Sequence, residues 1–255
     1  MRRHTVPSAA PVPRASAVVL EVVGELLLTL GVLLGLFVVW QLWWTDVVGT
    51  RAQAAVVAGL DWEPPAPVAA DPVEVERRDA APAMVEPALA TTFATLQVPR
   101  WGATDVRPIS QGTTTRDVLD PLGIGHYDGT AMPGGLGNFA VAGHRTTYGK
   151  PLNRIAELQV GDALVVRTEQ AWFVYRVTTW SIVSPRDVDV IAPVPGQPDA
   201  QPTEAQMTLT TCHPMFSARE RYVVHALLDY WMPTADGTPV ELGADVSTAS
   251  AQGGA

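Results

Sequence analysis

The 255-residue sequence contains a single cysteine, Cys212, and few charged side chains, with a formal net charge of -9. This balance argues against binding a nucleic-acid backbone, which requires basic patches. No His-x-x-x-His or paired-cysteine spacing supports a zinc site. The acids of residues 123–137 are too few for an EF-hand-like calcium loop, and no glycine-rich nucleotide motif follows a predicted strand. We therefore expect no metal and no cofactor.

The longest apolar run covers residues 22–44 and is long enough to cross a membrane, which takes ~20 residues. Residues 1–16 carry three arginines and no acid, so the positive-inside rule places the N-terminus in the cytoplasm and everything after the run outside. We predict a cytoplasmic N-terminus over 1–16 and one transmembrane helix over 17–44. Three tryptophans cluster at the far end of the run, as an interfacial belt would: Trp40, Trp43 and Trp44.

Two other interpretations of the run stay open. A cleaved signal peptide usually has an apolar region of only ~7–15 residues, but residues 52–54 form an Ala-x-Ala pattern compatible with cleavage. A buried helix of a soluble protein fits poorly with the flanking charges. Outside a membrane most cysteines form disulfides, so a lone Cys212 indicates a reactive thiol or a bridge to another chain. A buried, inert thiol is the alternative.

Residues 45–92 are rich in alanine, proline, valine and acids and have no sustained periodicity. This composition predicts an extended, mostly disordered extracellular stalk. The folded domain is expected over 93–233, which is about the size of one domain. The small and polar residues 234–255 predict a disordered tail.

Many short β-rich runs, frequent turn signals and little helix predict an all-β barrel or sandwich. Residues 117–122 predict one helical turn, residues 123–137 a glycine- and proline-rich loop, and residues 150–158 a short helix. The expected strands are listed by their limits: 93–101, 106–110, 138–144, 163–168, 172–183, 207–211 and 222–228.

The lone cysteine lies between two of these runs. Met207 and Leu209 alternate with threonines, which predicts a half-buried strand, and a second β-rich run begins at Tyr222. If the two runs pair antiparallel, Cys212 closes one strand and Arg221 opens the next. A thiolate beside a fixed cation is a workable arrangement for acyl transfer.

A thiol of ordinary pKa is mostly protonated at neutral pH, so a catalytic cysteine needs a base or cation nearby, and a leaving amine needs an acid. Histidine serves both needs. Of the five histidines, the most favoured is His144, which ends an apolar strand beside a glycine. His126, also in a turn region, is the next candidate. His213 is the third and least favoured, because it follows Cys212 directly and adjacent side chains on a strand point to opposite faces.

During acyl transfer the carbonyl oxygen of the substrate becomes negatively charged, and a fixed cation beside it lowers the barrier. Arg221 and Arg219 are the candidates for this cation. Arg221 is better anchored because it begins an apolar run, whereas Arg219 lies in the predicted loop. A surface charge at a strand end is the alternative for both.

Two strings, Ala140-Val-Ala-Gly-His144-Arg-Thr and Thr208-Leu-Thr-Thr-Cys212, with Arg221 downstream, resemble those of a sortase. Three longer strings resemble the class E sortases of high-GC Gram-positive bacteria: Gly125-His-Tyr-Asp-Gly-Thr-Ala-Met-Pro-Gly, Gly143-His-Arg-Thr-Thr-Tyr-Gly and Thr210-Thr-Cys-His-Pro-Met-Phe-Ser-Ala-Arg-Glu-Arg. The resemblance implies a sortase-like eight-stranded β-barrel with short helices. It places the nucleophile on Cys212, the general acid/base on His144 and the oxyanion-stabilising arginine on Arg221.

The resemblance also implies a membrane-anchored cysteine transpeptidase acting outside the cell. Its expected partners are secreted proteins with a C-terminal L-A-x-T-G or L-P-x-T-G sorting signal and an amine of a peptidoglycan precursor. One alternative is a cysteine hydrolase acting on wall peptides, which would use water in place of the amine. The other is a non-catalytic, stalked wall-binding module with a buried cysteine.

Overall fold

A computed structural model of the chain describes residues 14–64, 67, 72–102 and 104–243. The chain divides into two compact units, one ending at Trp44 and one beginning at Thr45. Helix α1, Arg14–Ala58, is the one helix among these described residues that is long and apolar enough to cross a membrane. All side chains of residues 17–44 are exposed, as lipid-facing side chains would be. The rest of the predicted N-terminal segment, residues 1–13, lies outside the described residues.

The second unit contains a closed barrel of eight strands in the order β1-β2-β3-β4-β7-β8-β6-β5, which confirms the all-β prediction and the barrel that the resemblance implied. The strands are β1 (Thr92–Gln97), β2 (Val106–Gln111), β3 (Ile124–His126), β4 (Gly137–Gly143), β5 (Ala163–Arg167), β6 (Ala171–Val183), β7 (Ala205–His213) and β8 (Glu220–Pro233). Pairing is antiparallel except for β2 with β3 and β4 with β7.

The barrel interior is filled by alternate side chains of the strands. On β7, Met207 and Leu209 point inward and are fully buried, as the alternation with threonine predicted. On β6 both faces are buried over the first half of the strand. There Phe173 faces the interior cluster, whereas Trp172 belongs to a second cluster on the outer surface of β5, β6 and β8.

Short helical segments connect the strands. A π-type turn, Thr115–Leu119, runs directly into α3, Asp120–Leu122, where one helical turn was predicted. Strand β3 was missed within the predicted loop 123–137, because three residues are too few to show an alternation. In place of the short helix predicted over 150–158, the chain forms turns and a 3₁₀ turn, Ile155–Glu157.

The described parts of the predicted stalk, residues 45–92, include folded segments that the prediction lacked. Helix α1 continues to Ala58 instead of ending at Trp44, and Gln53 is only 6% exposed. Further along, α2 (Pro72–Val75) is followed by an antiparallel bridge between Arg77 and Trp231. A backbone bridge to a residue far along the chain leaves no periodic pattern in the sequence, so composition alone did not predict this contact.

The predicted tail, residues 234–255, is also partly folded. It begins with a 3₁₀ turn, Thr234–Asp236, and continues into α4, Val240–Gly243. Leu242 of α4 and Val75 of α2 pack against the outer cluster that contains Trp172. This burial explains why helical turns form in small and polar sequence. Residues 244–255 lie outside the described part of the chain.

Candidate active site

The site lies where three strands end at one rim of the barrel. Strands β7 and β8 pair antiparallel with Cys212 directly opposite Arg221, so the pairing expected from the sequence is confirmed. Directly paired residues share a face of the sheet, with Cβ atoms about 5 Å apart. Cys212 is partly exposed and forms no disulfide. Cys212 and Arg221 are therefore neighbours on one face of the sheet, at the end of the barrel.

His144 reaches the same rim through the parallel pairing of β4 with β7. The last pair in this ladder is Ala142 with Thr210. Continuing the register by two residues brings His144 level with Cys212. Beyond the ladder, the Thr211 hydroxyl donates a hydrogen bond to the Gly143 carbonyl at 2.7 Å, which keeps the two strand ends together.

His144 is held on two sides. Its Nε2 donates a hydrogen bond to Oδ1 of Asp120, the first residue of α3, at 2.8 Å. Its ring lies 5.3 Å from the ring of Tyr148, with 32° between the two planes. Because a carboxylate accepts hydrogen bonds, this contact assigns the proton to Nε2 and leaves Nδ1 for exchange with a substrate. Sequence reasoning missed both partners.

Arg145 is a second cation near the cysteine and is buried, although it was not a candidate. It is 6% exposed, and its Nη1 donates hydrogen bonds to the Cys212 carbonyl at 3.3 Å and to Nδ1 of His213 at 2.8 Å. Its guanidinium also lies over the Tyr222 ring, with the central guanidinium carbon 5.4 Å from the ring centroid. Among the described residues it forms no salt bridge, and its Nε is buried without a partner. Arg145 directly follows His144, so its guanidinium ties the chain at His144 to the end of β7.

Arg221 is anchored through its own loop. Its Nη1 donates to the carbonyl groups of Ala218 at 2.9 Å and of Glu220 at 3.0 Å. No carboxylate in the described part of the chain pairs with it, so its charge is free for an anion. Arg219 is exposed, and its backbone N–H donates to the Ser217 hydroxyl at 3.2 Å. The structure therefore brings Arg221, and not Arg219, level with the thiol.

The other candidate histidines have structural contacts. His126 is fully buried, with Nδ1 donating to the Gln111 side chain at 2.8 Å and Nε2 lying 3.1 Å from the Ala131 carbonyl. Burial lowers the pKa of His126 below its usual value of 6.5. Nδ1 of His213 accepts the hydrogen bond from Nη1 of Arg145 at 2.8 Å. His225 is hydrogen-bonded to Thr208 at 2.9 Å, and burial lowers its pKa as well.

Cys212, His144 and Arg221 together form an arrangement suited to acyl transfer. The thiol supplies a nucleophile, the imidazole a proton donor and acceptor, and the unpaired guanidinium a partner for developing negative charge. No group of three or more His, Cys, Asp or Glu side chains that could hold a metal ion occurs in the residues described.

Comparison with known proteins places the chain. A family model described as "Sortase domain" matches residues 96–229. Sortase SrtE1 of Streptomyces coelicolor is 37% identical over 236 residues, covering 89% of this chain and 62% of the relative. Among solved structures, SrtA sortase from Actinomyces oris is 45% identical with a TM-score of 0.62, covering 65% of this chain and 95% of that one. Sortase E1 from Streptomyces coelicolor is 38% identical with a TM-score of 0.56, covering 60% and 97%.

The chain therefore belongs to the sortase family. Within that family, the resemblance to class E drawn from the sequence is confirmed by the similarity to SrtE1 and to the sortase E structures. The chain spans less than two thirds of the length of SrtE1, the curated relative to which it is 37% identical.

Proposed function

We propose that the protein is a membrane-anchored cysteine transpeptidase. It cleaves a C-terminal L-A-x-T-G or L-P-x-T-G sorting signal of a secreted protein and joins that protein to an amine of a cell-wall precursor. The observation that carries the proposal is the meeting of Cys212, His144 and Arg221 at one rim of the barrel. Support also comes from the related sortase E1 structure, which holds a tripeptide in its active site.

In the first half of the reaction the Cys212 thiolate attacks the carbonyl carbon of the Thr–Gly bond. A carbon–sulfur bond forms and the carbonyl oxygen takes up the negative charge, which the unpaired Arg221 guanidinium stabilises. His144 then gives a proton to the glycine nitrogen. The carbon–nitrogen bond breaks, the glycine leaves as an amine, and the threonine carbonyl remains on sulfur as a thioester.

In the second half an amine nitrogen attacks the thioester carbon. His144, now neutral, takes the proton from this nitrogen, and Arg221 again stabilises the oxyanion. The carbon–sulfur bond breaks and releases the Cys212 thiolate. Asp120 acts as a positioning residue throughout, because its carboxylate holds Nε2 and so keeps Nδ1 directed to proton exchange.

The location follows from the same assignment. The apolar part of α1, residues 17–44, anchors the chain in the membrane with the N-terminus in the cytoplasm and the barrel outside, as the arginines before it favour. Both substrates of the proposed reaction begin at the outer face of a Gram-positive cell membrane, so an anchored enzyme meets them there.

The test uses the full chain in detergent with a fluorescent L-A-x-T-G peptide and an excess of a small amine, with products identified by mass. We expect the amine to appear on the threonine carboxyl group. Cys212→Ala should abolish cleavage, and His144→Ala and Arg221→Met should each reduce kcat by about 10²-fold or more. Arg219→Met is the matched control for Arg221→Met and should keep wild-type kcat.

Each alternative predicts a different result. If the threonine ends as a free carboxylic acid even when amine is abundant, the enzyme is a hydrolase. No cleavage by the wild-type chain, together with a Cys212 that resists a thiol reagent in the folded state, would identify a non-catalytic module. Cleavage by the Cys212→Ala variant would contradict the assignment of the nucleophile.

A further inference from the structure

The last part of helix α1, residues 45–58, lies against the loop that follows His144. The Nε2 of Gln53 donates a hydrogen bond to the Tyr148 carbonyl at 2.8 Å. Gln53 is 6% exposed, although its neighbours in sequence suggested a solvated stalk. The same side chain also packs on Gly123, the residue after α3, where a Cβ would fall 2.8 Å from the Gln53 amide carbon. One glutamine thus contacts loops next to both His144 and Asp120.

The approach of the helix to this loop is closer than any side chain would permit. A Cβ on Gly49 would lie 2.3 Å from the Tyr148 carbonyl carbon and 2.5 Å from the Gly149 nitrogen. Nothing can occupy that position except hydrogen, so the glycine allows backbone to touch backbone. One turn earlier, Asp46 pairs with Lys150 at 2.7 Å. The helix is therefore fixed to the loop at three points.

The loop itself has a conformation that needs support. Tyr148 has φ of 52° and Lys150 has φ of 38°, both in the left-handed region that L-residues other than glycine seldom adopt. Each such residue costs on the order of 1–3 kcal/mol and persists only where its surroundings hold it. Because the Tyr148 ring packs on the His144 ring at 5.3 Å, the conformation of this loop also sets the position of the imidazole.

We propose that residues 45–58 of α1 are a positioning element of the active site. By holding the 148–150 loop, they keep Tyr148 against His144 in the orientation that proton transfer requires. No residue of this helix touches the reacting atoms, so the effect is on geometry alone. The inference rests on the proposed function, since it assigns a role in the reaction of His144, but the docking of the helix can be measured without that reaction.

The experiment compares two glycine-to-alanine variants of the same helix in the full chain, reconstituted in lipid nanodiscs. Gly49→Ala places a methyl group where the Tyr148 backbone lies, whereas a Cβ on Gly35 would meet nothing within 4 Å. Both changes raise helix propensity equally, by up to ~1 kcal/mol. Hydrogen exchange of residues 144–152 reports docking, and kcat and KM for the sorting-signal peptide report function.

We expect Gly49→Ala to raise exchange in residues 144–152 at least about fivefold and to lower kcat about tenfold, with KM changed less than twofold. Gly35→Ala should match the wild type in all three. Gln53→Ala removes one hydrogen bond without inserting an atom, and should give the same pattern at smaller amplitude. Hydrogen exchange of strands β5 and β6 should be equal in all variants, because the barrel itself is not altered.

Unchanged exchange in Gly49→Ala would show that the helix does not hold the loop and would overturn the proposal. Raised exchange with unchanged kcat would equally overturn it, since the loop would then not govern His144. Raised exchange throughout β5 and β6 in Gly49→Ala would assign the loss to the barrel and would overturn the proposal. Absence of cleavage by the wild-type chain would count against the proposed function, a result separate from the exchange measurement.

Discussion

The hydrogen-bond partners of the described histidines distinguish a catalytic candidate from a structural histidine more clearly than their positions in the sequence do. His126 was a serious candidate because it follows a glycine in a turn-rich segment, but both its ring nitrogens are occupied inside the protein. His144 has one nitrogen held by a carboxylate and one left for chemistry. A catalytic imidazole needs one ring nitrogen held in place and the other free for proton transfer, and a buried structural imidazole does not.

Replacing the carboxylate that holds His144 tests this point. Asp120→Asn keeps the size and an acceptor oxygen but removes the charge, so we expect kcat to fall on the order of tenfold with KM within twofold. Asp120→Ala removes the acceptor, so its kcat should fall further than that of Asp120→Asn. Steady-state cleavage of the sorting-signal peptide by the full chain provides both constants.

Asp117→Asn is the matched control, because Asp117 is exposed on the preceding turn and contacts only the Thr114 hydroxyl, at 3.4 Å. It should leave both constants unchanged. Equal kcat for Asp120→Ala and wild type would remove Asp120 from the mechanism.

The residues of the proposed catalytic trio could be selected from the sequence because each stands in a distinctive context. Cys212 is the only thiol, and Arg221 opens the β-rich run that follows it. Asp120 could not be selected, since it lies 24 residues before His144 and its side chain meets the imidazole only in the folded chain. Arg145 stood next to His144 in the string Gly143-His-Arg, but nothing in that string indicated that its side chain turns to the end of β7.

At the scale of elements, strands β4 and β7 place the site because their parallel pairing brings two remote chain segments to one rim. Regular pairing ends at Ala142 and Thr210, before either reacting residue. Beyond this point, side-chain hydrogen bonds hold the ends of β4 and β7 together. Thr211 donates to the Gly143 carbonyl and Arg145 donates to the Cys212 carbonyl. The geometry of the site therefore depends on a few bonds beyond the ladder.

Removing Arg145 should expose this dependence. Arg145→Met keeps much of the buried chain but leaves His213 Nδ1 and the Cys212 carbonyl without a donor. We expect a loss of about 2 kcal/mol in unfolding free energy and a fall in kcat on the order of tenfold. Arg145→Lys should recover part of both by restoring one donor. Urea unfolding and peptide cleavage measure the two effects.

Arg116→Met provides the comparison, since Arg116 is an exposed arginine on the turn before α3. It should change neither quantity. A stable Arg145→Met protein with wild-type kcat would contradict the claim that Arg145 aligns the ends of β4 and β7.

The elements themselves were predictable to different degrees. Long strands such as β4, β6 and β7 matched the predictions closely. Strand β7 alternates apolar and polar residues with a period of two, and β4 and the first half of β6, which are buried on both faces, form continuous apolar runs. Strand β3 and the folded parts of residues 45–92 were missed. Their positions depend on neighbours far away in sequence, as with Arg77 beside Trp231, and no local pattern encodes such contacts.

At the scale of the whole molecule, acid should destabilise the protein before its carboxylates titrate. Burial lowers the pKa of His126 and of His225 from 6.5. Below about pH 6.5 the unfolded chain binds protons at these sites that the folded chain does not, so the free energy of unfolding falls as pH falls. The loss should begin near pH 6.5 and continue down to the lowered folded-state values.

Urea unfolding of the full chain at about pH 7.5, 6.5 and 5.5 tests this expectation. His126→Asn should be less stable than wild type at the highest pH, because it loses buried hydrogen bonds, but its stability should depend less on pH across the interval. Parallel curves for variant and wild type would show that His126 does not contribute to the acid sensitivity.

A single, partly exposed thiol has one more consequence for the protein as a chemical object. With no second thiol in the chain, oxidation has no internal disulfide to form, and the barrel does not depend on one. Mild oxidation of the thiol at the rim gives a sulfenic acid or a disulfide bridge between two copies of the chain. Redox damage would therefore silence the enzyme while leaving its architecture intact, and a reductant would restore it.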